Sequence, residues 1–433
     1  MDQTIPSGHF LRHISDLAEK QEVLAHSPIH SAAGAMLVDS GERITSELYD
    51  DLKHHLLPSL EECLTVGDAV TATELAQAVE ELLADEPAFA SLMPDEAERQ
   101  KVVRVFAAIP LSQPLAFKLT VAREERPEVL RHSLQVAYCA AALAHHSHLP
   151  PHEIVNAAAA GLFHDLGLLH IDPELLRGLR PLSEQERHYL YTHPLTAYLI
   201  LERNPIWHPV VSTAVLEHHE RIDGSGYPQG LTEAKLGSLG QLLAVAELAA
   251  TVLSYGGDYA SRDRLGIVLR MNEGKLNREH CSHLLAMFPP CSVPAAAFRT
   301  AGAALELLVD LSVALLRWQS IHKTLPASPL AKFVDKRMAQ LGHSLADAGI
   351  DLEYWSAFHG GGELDGKSLG EMEVAAREAI WQLRAIASEV YRRWEHVAAG
   401  SGPIVAATRE WLASVEVLGG ETIKPAGRIA AAG

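Results

Sequence analysis

Cysteine is nearly absent from the 433-residue chain: Cys63, Cys139, Cys281 and Cys291 stand alone, with no CxxC spacing among them. That excludes a zinc knuckle and a disulfide framework, and it suits small buried thiols in a reducing cytosol. Positive charge is also short. Lys and Arg number 36 against 55 Asp and Glu, a formal net charge of -19, so the overall field repels DNA and acidic membranes. A phosphate ligand would need positive charge concentrated locally. Aromatics make up 6% of the residues, and Ala and Leu prevail over Val, Ile and Tyr, which favours helix over sheet. The longest apolar runs, such as "AAAAGLF" at 157–163, are far too short for membrane insertion. The N-terminus "MDQTIPSGHFLRHISDLAEK" has no basic segment followed by a long apolar run, so no secretion signal is expected. The expectation is a soluble, cytoplasmic protein.

What is present is helical periodicity in more than one domain, since the length exceeds one ordinary core. Residues 1–125 are expected to form a small N-terminal helical or mixed domain of unknown role, with a helix capped by Thr45 or Ser46 and others near 72–84 and 95–108. From Pro127 the pattern predicts helices at about 128–147, 152–166 (with Gly167 as a left-handed stop), Ser183 through His193, 195–203, 208–219 and 237–254. Almost no alternating strand pattern appears there, so 126–293 is expected to be an all-helical bundle. Residues 294–420 read as a C-terminal helical extension. Two amphipathic helices, "AAAFRTAGAALELLVDLSVALLRWQSIH" and "EMEVAAREAIWQLRAIASEVYRRWEHV", flank the loop "HGGGELDGKSLG", and a homodimerising pair is one use for them. The tail, 421–433, has little to bury and is expected to be disordered.

The chemistry lies in order and spacing, because among 24 histidines a single one means little. Glu128 and His132 stand at i and i+4, one face of a helix. His164 and Asp165 are adjacent at a helix end, His193 lies near another, and His218 and His219 finish a third before the loop "RIDGSGYPQGL". Imidazoles and carboxylates converging from several helices suit a multinuclear transition-metal site: imidazoles bind borderline metals such as iron, manganese or zinc, and carboxylates bridge ions and balance charge. Two ions about 3.5–4 Å apart would acidify a bridging water and neutralise phosphodiester oxygens, the positive field that the chain otherwise lacks.

The order H…HD…H…HH followed by "DGSGYPQG" resembles the HD-GYP subgroup of the HD-domain metal-dependent phosphohydrolases, from about Glu128 to about residue 290. The resemblance implies a helical HD-type bundle holding two or three divalent ions, Fe or Mn. It implies hydrolysis of cyclic di-GMP to linear pGpG or GMP by a metal-bridging hydroxide. Metal ligands would be Glu128, His132, His164, Asp165, His193, His218, His219 and Glu247, with Glu128 serving a third ion and Asp165 bridging two; His164 and Asp165 would be the catalytic pair. Arg221, Asp223, Gly224, Gly226, Tyr227 and Pro228 would face the substrate. Asp223, Gly224 and Gly226 can form a tight turn that Pro228 stiffens, with Tyr227 at the rim.

The Arg-Pro-Tyr-Arg segment usual downstream in the family is unrecognisable in "SYGGDYASRDR", and the sequence departs from the family's pattern at two single positions as well. Leu168 stands where "HDxGK" has lysine, and Glu247 in "LLAVAE" replaces an aspartate, its extra methylene carrying the oxygens outward by about one C–C bond. The alternative is a catalytically degenerate module that binds cyclic di-GMP or a GGDEF-type partner without turnover; a third reading keeps hydrolysis but with another nucleotide.

Overall fold

A computed structural model describes residues 8–45 except Ala32, 62–177, 182–254, 262–288, 301–323, 328–350, 366–394 and 403–416, with Leu48, Leu52, Val397 and Leu418 as single positions. Most of the helix expected after Thr45 falls outside this set, although the Leu48 N–H donates to Thr45 Oγ1 at 3.3 Å. So do 294–300, the start of the "HGGGELDGKSLG" loop and the 421–433 tail.

The protein is mainly α-helical, with a small β-containing N-terminal region and helices at the C-terminal end. Compactness divides the chain into two units: 1–176 with 189–251, and 177–188 with 252–433. The segment expected as a separate N-terminal domain shares the first unit with the bundle.

In the first unit α1 (Gly8–Lys20) precedes four short strands, β1 (Val23–Ala25), β2 (Ile29–His30), β3 (Met36–Val38) and β4 (Leu64–Val66). They form two antiparallel pairs, β1 with β4 (Val23 opposite Val66) and β2 with β3 (Ile29 opposite Val38). Then α2 (Ala72–Asp85) opens on a Thr71/Glu74 capping box, and α3 (Glu96–Phe106) starts at Asp95, whose carboxylate accepts the Ala97 and Glu98 N–H groups.

After α4 (Gln113–Glu125) come the helices that hold the histidines. Pro127 and Pro151 occupy the first turns of α5 (Pro127–His146) and α6 (Pro151–Phe163), where a missing N–H costs nothing. Their shared seam is built from Ala and Gly. A Cβ on Gly161 would lie 2.5 Å from the Ala137 Cα, so the two helices approach more closely than a side chain there would permit. A 3-10 turn, Leu166–His170, follows α6. Gly167, expected to stop the helix in the left-handed region, is not among the positive-φ residues. Its glycine is required for proximity instead: a Cβ would lie 2.1 Å from the His193 carbonyl oxygen.

The Ser183/Glu186 capping box forms, with bonds of 2.8 and 3.3 Å, but α7 (Glu184–Leu190) ends before His193. His193 instead begins α8 (His193–Glu202), with Pro194 behind it. Two further helices follow, α9 (Pro209–Glu217) and α10 (Ser238–Ser254), the latter running past the first unit's end.

The second unit holds α11 (Arg262–Met271), α12 (Arg278–Met287), α13 (Ala301–His322), α14 (Pro329–Asp347), α15 (Gly366–Arg393) and α16 (Pro403–Glu416). Trp318 and Trp411 meet in its core with ring centroids 4.8 Å apart. Each indole N–H finds an acceptor, Asp335 Oδ1 at 3.0 Å and the Ala314 carbonyl at 2.9 Å, as buried tryptophans require. No helix among the described residues is long and apolar enough to cross a membrane.

Candidate metal centre

Helix ends deliver the histidines. His164 caps α6 and His218 caps α9, positions where the last-turn carbonyls lack helical partners. His164 Nδ1 donates to the Gly161 carbonyl at 2.7 Å, and His218 Nδ1 to the Val215 carbonyl at 2.6 Å. His193, at the start of α8, does the same, donating from Nδ1 to the Leu190 carbonyl at 2.8 Å. A carbonyl can only accept, so each of these rings in its neutral form carries its proton on Nδ1 and leaves Nε2 free to ligate. This is how metal-binding imidazoles are held.

The lone pairs converge. His193 Nε2 and His218 Nε2 are 3.4 Å apart with no proton to share, both on side chains that are 0% exposed. Two facing acceptors in a dry site repel unless a cation lies among them. His164 Nε2, Asp165 Oδ1 and Glu247 Oε2 are likewise buried and make no hydrogen bond. The donor set therefore fits divalent ions.

The donors sort into groups whose ligand atoms lie within 4.8 Å of one another: His132, His164 and Glu247; His193, His218 and His219; and His164, Asp165 and His218, which joins the first two. His164 and His218 each belong to two groups, and Asp165 lies between them. Its Oδ2 is 3.1 Å from His164 Nε2 and 3.9 Å from His132 Nε2, while its Oδ1 is 3.4 Å from His193 Nε2 and 3.9 Å from His218 Nε2. Each oxygen faces a different imidazole group, the disposition of a bridging carboxylate. Glu247 reaches the centre despite its added methylene, with Oε1 3.1 Å from His132 Nε2 and Oε2 3.4 Å from His164 Nε2.

Glu128 stands apart. Its side chain is 55% exposed and accepts a hydrogen bond from Arg126 Nε at 2.6 Å, and it belongs to none of these clusters.

Charge among these side chains divides by neighbour. Burial alone would lower the His164 pKa, but Asp165 and Glu247 outweigh it and lift it to about 9. His218, farther from carboxylates, is pushed down to about 3 by burial and by His164 and His193. His219 falls well below the ordinary value through burial and the neighbouring His218 and His193. Against the cost of burial, His164, His193 and His132 hold the Asp165 carboxyl below its usual range; His132 and His164 do the same for Glu247, to about 2.

The glycine-rich loop closes over the second histidine group. Gly224 has φ +77°, a left-handed angle, and Asp223 Oδ1 accepts from Ser225 N and Oγ at 3.0 and 2.6 Å. Gly226 is needed for contact: a Cβ would lie 2.3 Å from the Glu220 Cα. The Tyr227 ring stacks on His219 at 4.6 Å and packs against Tyr191 at 4.4 Å, its hydroxyl buried and without a hydrogen-bond partner. Pro228 follows through a cis peptide. Arg221 Nη1 donates to the carbonyls of His218 and Glu220 at 3.2 and 2.8 Å. Sequence reasoning passed over Tyr191, the carbonyl partners of the three Nδ1 groups, and Glu220. The signal for Glu220 was in plain view, as an acid directly after the histidine pair.

The helices thus converge on a histidine and carboxylate centre able to hold divalent ions. Residues 111–273 match the HD domain family. The chain is 31% identical over 163 residues to a cyclic di-GMP phosphodiesterase of Pseudomonas aeruginosa, covering 37% of this chain and 39% of the other. It is 25% identical over 122 residues to the cyclic di-GMP phosphodiesterase PdeB of Borreliella burgdorferi, 28% of this chain and 32% of the other. A 3'3'-cGAMP-specific phosphodiesterase of Vibrio cholerae is 35% identical over 88 residues, 20% of each chain. The matched region thus spans less than half the length of each of these relatives.

Proposed function

We propose that the protein is a metal-dependent phosphodiesterase that hydrolyses cyclic di-GMP to linear pGpG or GMP, with two Fe or Mn ions. The carrying observation is Asp165, whose two oxygens face separate imidazole groups. His132, His164 and Glu247 with Asp165 Oδ2 would hold one ion, and His193, His218 and His219 with Asp165 Oδ1 the other. Bound ions supply Lewis-acid polarisation of the phosphodiester and a water acidic enough to attack near neutral pH.

The protein's own groups set the geometry. Backbone carbonyls at Gly161, Leu190 and Val215 fix three imidazoles in the tautomer that ligates. The loop carries Tyr227 over His219, where the ring limits water access and the hydroxyl is placed to donate. Arg221, held on the carbonyls of His218 and Glu220, offers its remaining N–H groups to the substrate phosphate. The kinship with phosphodiesterases of two cyclic dinucleotides supports that substrate class.

The test is turnover. Protein purified without oxygen and loaded with Mn²⁺ or Fe²⁺ is incubated with cyclic di-GMP and, separately, 3'3'-cGAMP; linear product or GMP from cyclic di-GMP is the expected result. No turnover by a chain carrying two ions would sink the proposal. Binding without hydrolysis would instead favour the degenerate-module reading, for which Leu168 is the support: its side chain is 0% exposed and offers no cation.

A further inference from the structure

Glu220 follows the histidine pair but turns away from the metal ligands' task. It is 2% exposed, and its carboxylate is spent on backbone. Oε1 accepts the Gln229 N–H at 2.6 Å and the Gly230 N–H at 3.0 Å, and Oε2 accepts the Leu231 N–H at 2.9 Å. Three successive amides converge on one carboxylate as a nest does on an anion. The chain leaves Glu220, makes the Asp223 turn, and returns nine to eleven residues later to the side chain it left. The ring is closed again lower down, where the Glu233 N–H donates to the Ile222 carbonyl at 3.0 Å.

What lies inside the ring is the loop's functional cargo. The Tyr227 N–H donates to the His219 carbonyl at 3.2 Å, and its ring stacks on the His219 imidazole. Arg221 is held inside the same ring of chain, its Nη1 donating to the carbonyls of His218 and Glu220 at 3.2 and 2.8 Å. Removing the carboxylate frees the returning segment at Gln229–Leu231, directly after Pro228, while His164, His193 and His218 keep their own carbonyl support. Charge-assisted hydrogen bonds are about twice as strong as neutral ones, so three of them make a firm closure.

We propose that Glu220 is a positioning residue: its carboxylate clamps the return of the loop so that Tyr227 and Arg221 face the metal centre, setting ligand affinity rather than metal occupancy. The ligand rests on the phosphodiesterase reading; the clamp does not.

The experiment uses the full chain, Mn²⁺-loaded, as wild type, E220A, E220Q and E220D. Amide hydrogen exchange over Gln229–Leu231 is read without substrate, together with bound metal per chain. Exchange there should quicken in E220A by at least about tenfold, since one hydrogen bond to a charged acceptor is worth roughly that factor or more. E220Q, with one acceptor oxygen and a donor opposed to donors, should follow it. E220D, a methylene short, should fall between E220A and wild type. Metal content should stay at the wild-type level in all three, and KM for cyclic di-GMP should rise at least about tenfold in E220A with a smaller change in kcat. Unchanged exchange at 229–231, E220D indistinguishable from E220A, or a fall in kcat at constant KM would each overturn the clamp. A wild-type chain with no turnover counts against the phosphodiesterase reading alone, because exchange still decides the clamp.

Discussion

Asp165 puts Oδ2 within 3.1 Å of His164 Nε2 and Oδ1 within 3.4 Å of His193 Nε2, so one side chain serves two groups of imidazoles. His219 belongs to one group only. That asymmetry yields a prediction of number, not only of loss. Asp165→Asn keeps the shape but removes the negative charge that both ions share, and bound metal should fall from about two per chain to well below one. His219→Ala leaves His132, His164, Glu247 and Asp165 in place, and should fall only to about one. Both variants should lose activity by at least about a hundredfold, because a two-ion displacement needs both partners. Elemental analysis of anaerobically purified protein reads the difference; equal loss in the two variants would show that the groups are not separable.

At the scale of helices, the site depends on how closely α5 and α6 approach. Gly161 lies against the Ala137 backbone, and the same pair of helices sets the His132 and His164 ring centroids 5.5 Å apart. Gly161→Val would place branched carbon where backbone already stands. It should cost about 1–3 kcal/mol by overpacking and weaken metal binding by spreading the imidazoles. Urea unfolding of chelated protein gives the first quantity, and metal titration the second. Much of this was legible in the sequence. Pro127 and Pro151, the apolar spacing and the Ser183 capping box located α5, α6 and α7 to within a few residues, because local rules govern helix starts. What escaped was tertiary. Gly167 looked like a helix stop, whereas its reason is the His193 carbonyl, 26 residues away in sequence. His193 looked like a helix end and is a helix beginning, since the 3-10 turn and the break after Leu190 have no periodic signature. The strands, two or three residues each, are too short to show alternation.

For the whole molecule, the centre ties stability to pH in a way that metal should reverse. In the metal-free chain His164 is lifted from 6.5 to about 9, so its contribution is fully present below 6.5 and is lost as pH rises through about 9. His132 is raised too, in the same sense, by Glu247 and Asp165 against the cost of burial. His218, lowered from 6.5 to about 3, acts oppositely: below 6.5 the unfolded chain takes up a proton that the folded chain refuses, and stability falls. His193 and His219, also lowered, add to that acid limb. Glu247, lowered from 4.5 to about 2, contributes stability that is present above 4.5 and goes as pH falls further. The chelated protein should therefore be most stable near pH 6.5, with a melting temperature that drops by several degrees towards pH 9. Bound ions need neutral imidazoles and take the place of the proton on His164. With saturating Mn²⁺ the alkaline decline between 6.5 and about 9 should vanish, while the acid limb steepens as protons compete with metal. Thermal melts across that range, with chelator and with Mn²⁺, separate the two curves. A chelated chain that holds its melting temperature up to pH 9 would show that the carboxylates do not keep His164 protonated, and so that Asp165 and Glu247 do not face it as closely as 3.1 and 3.4 Å.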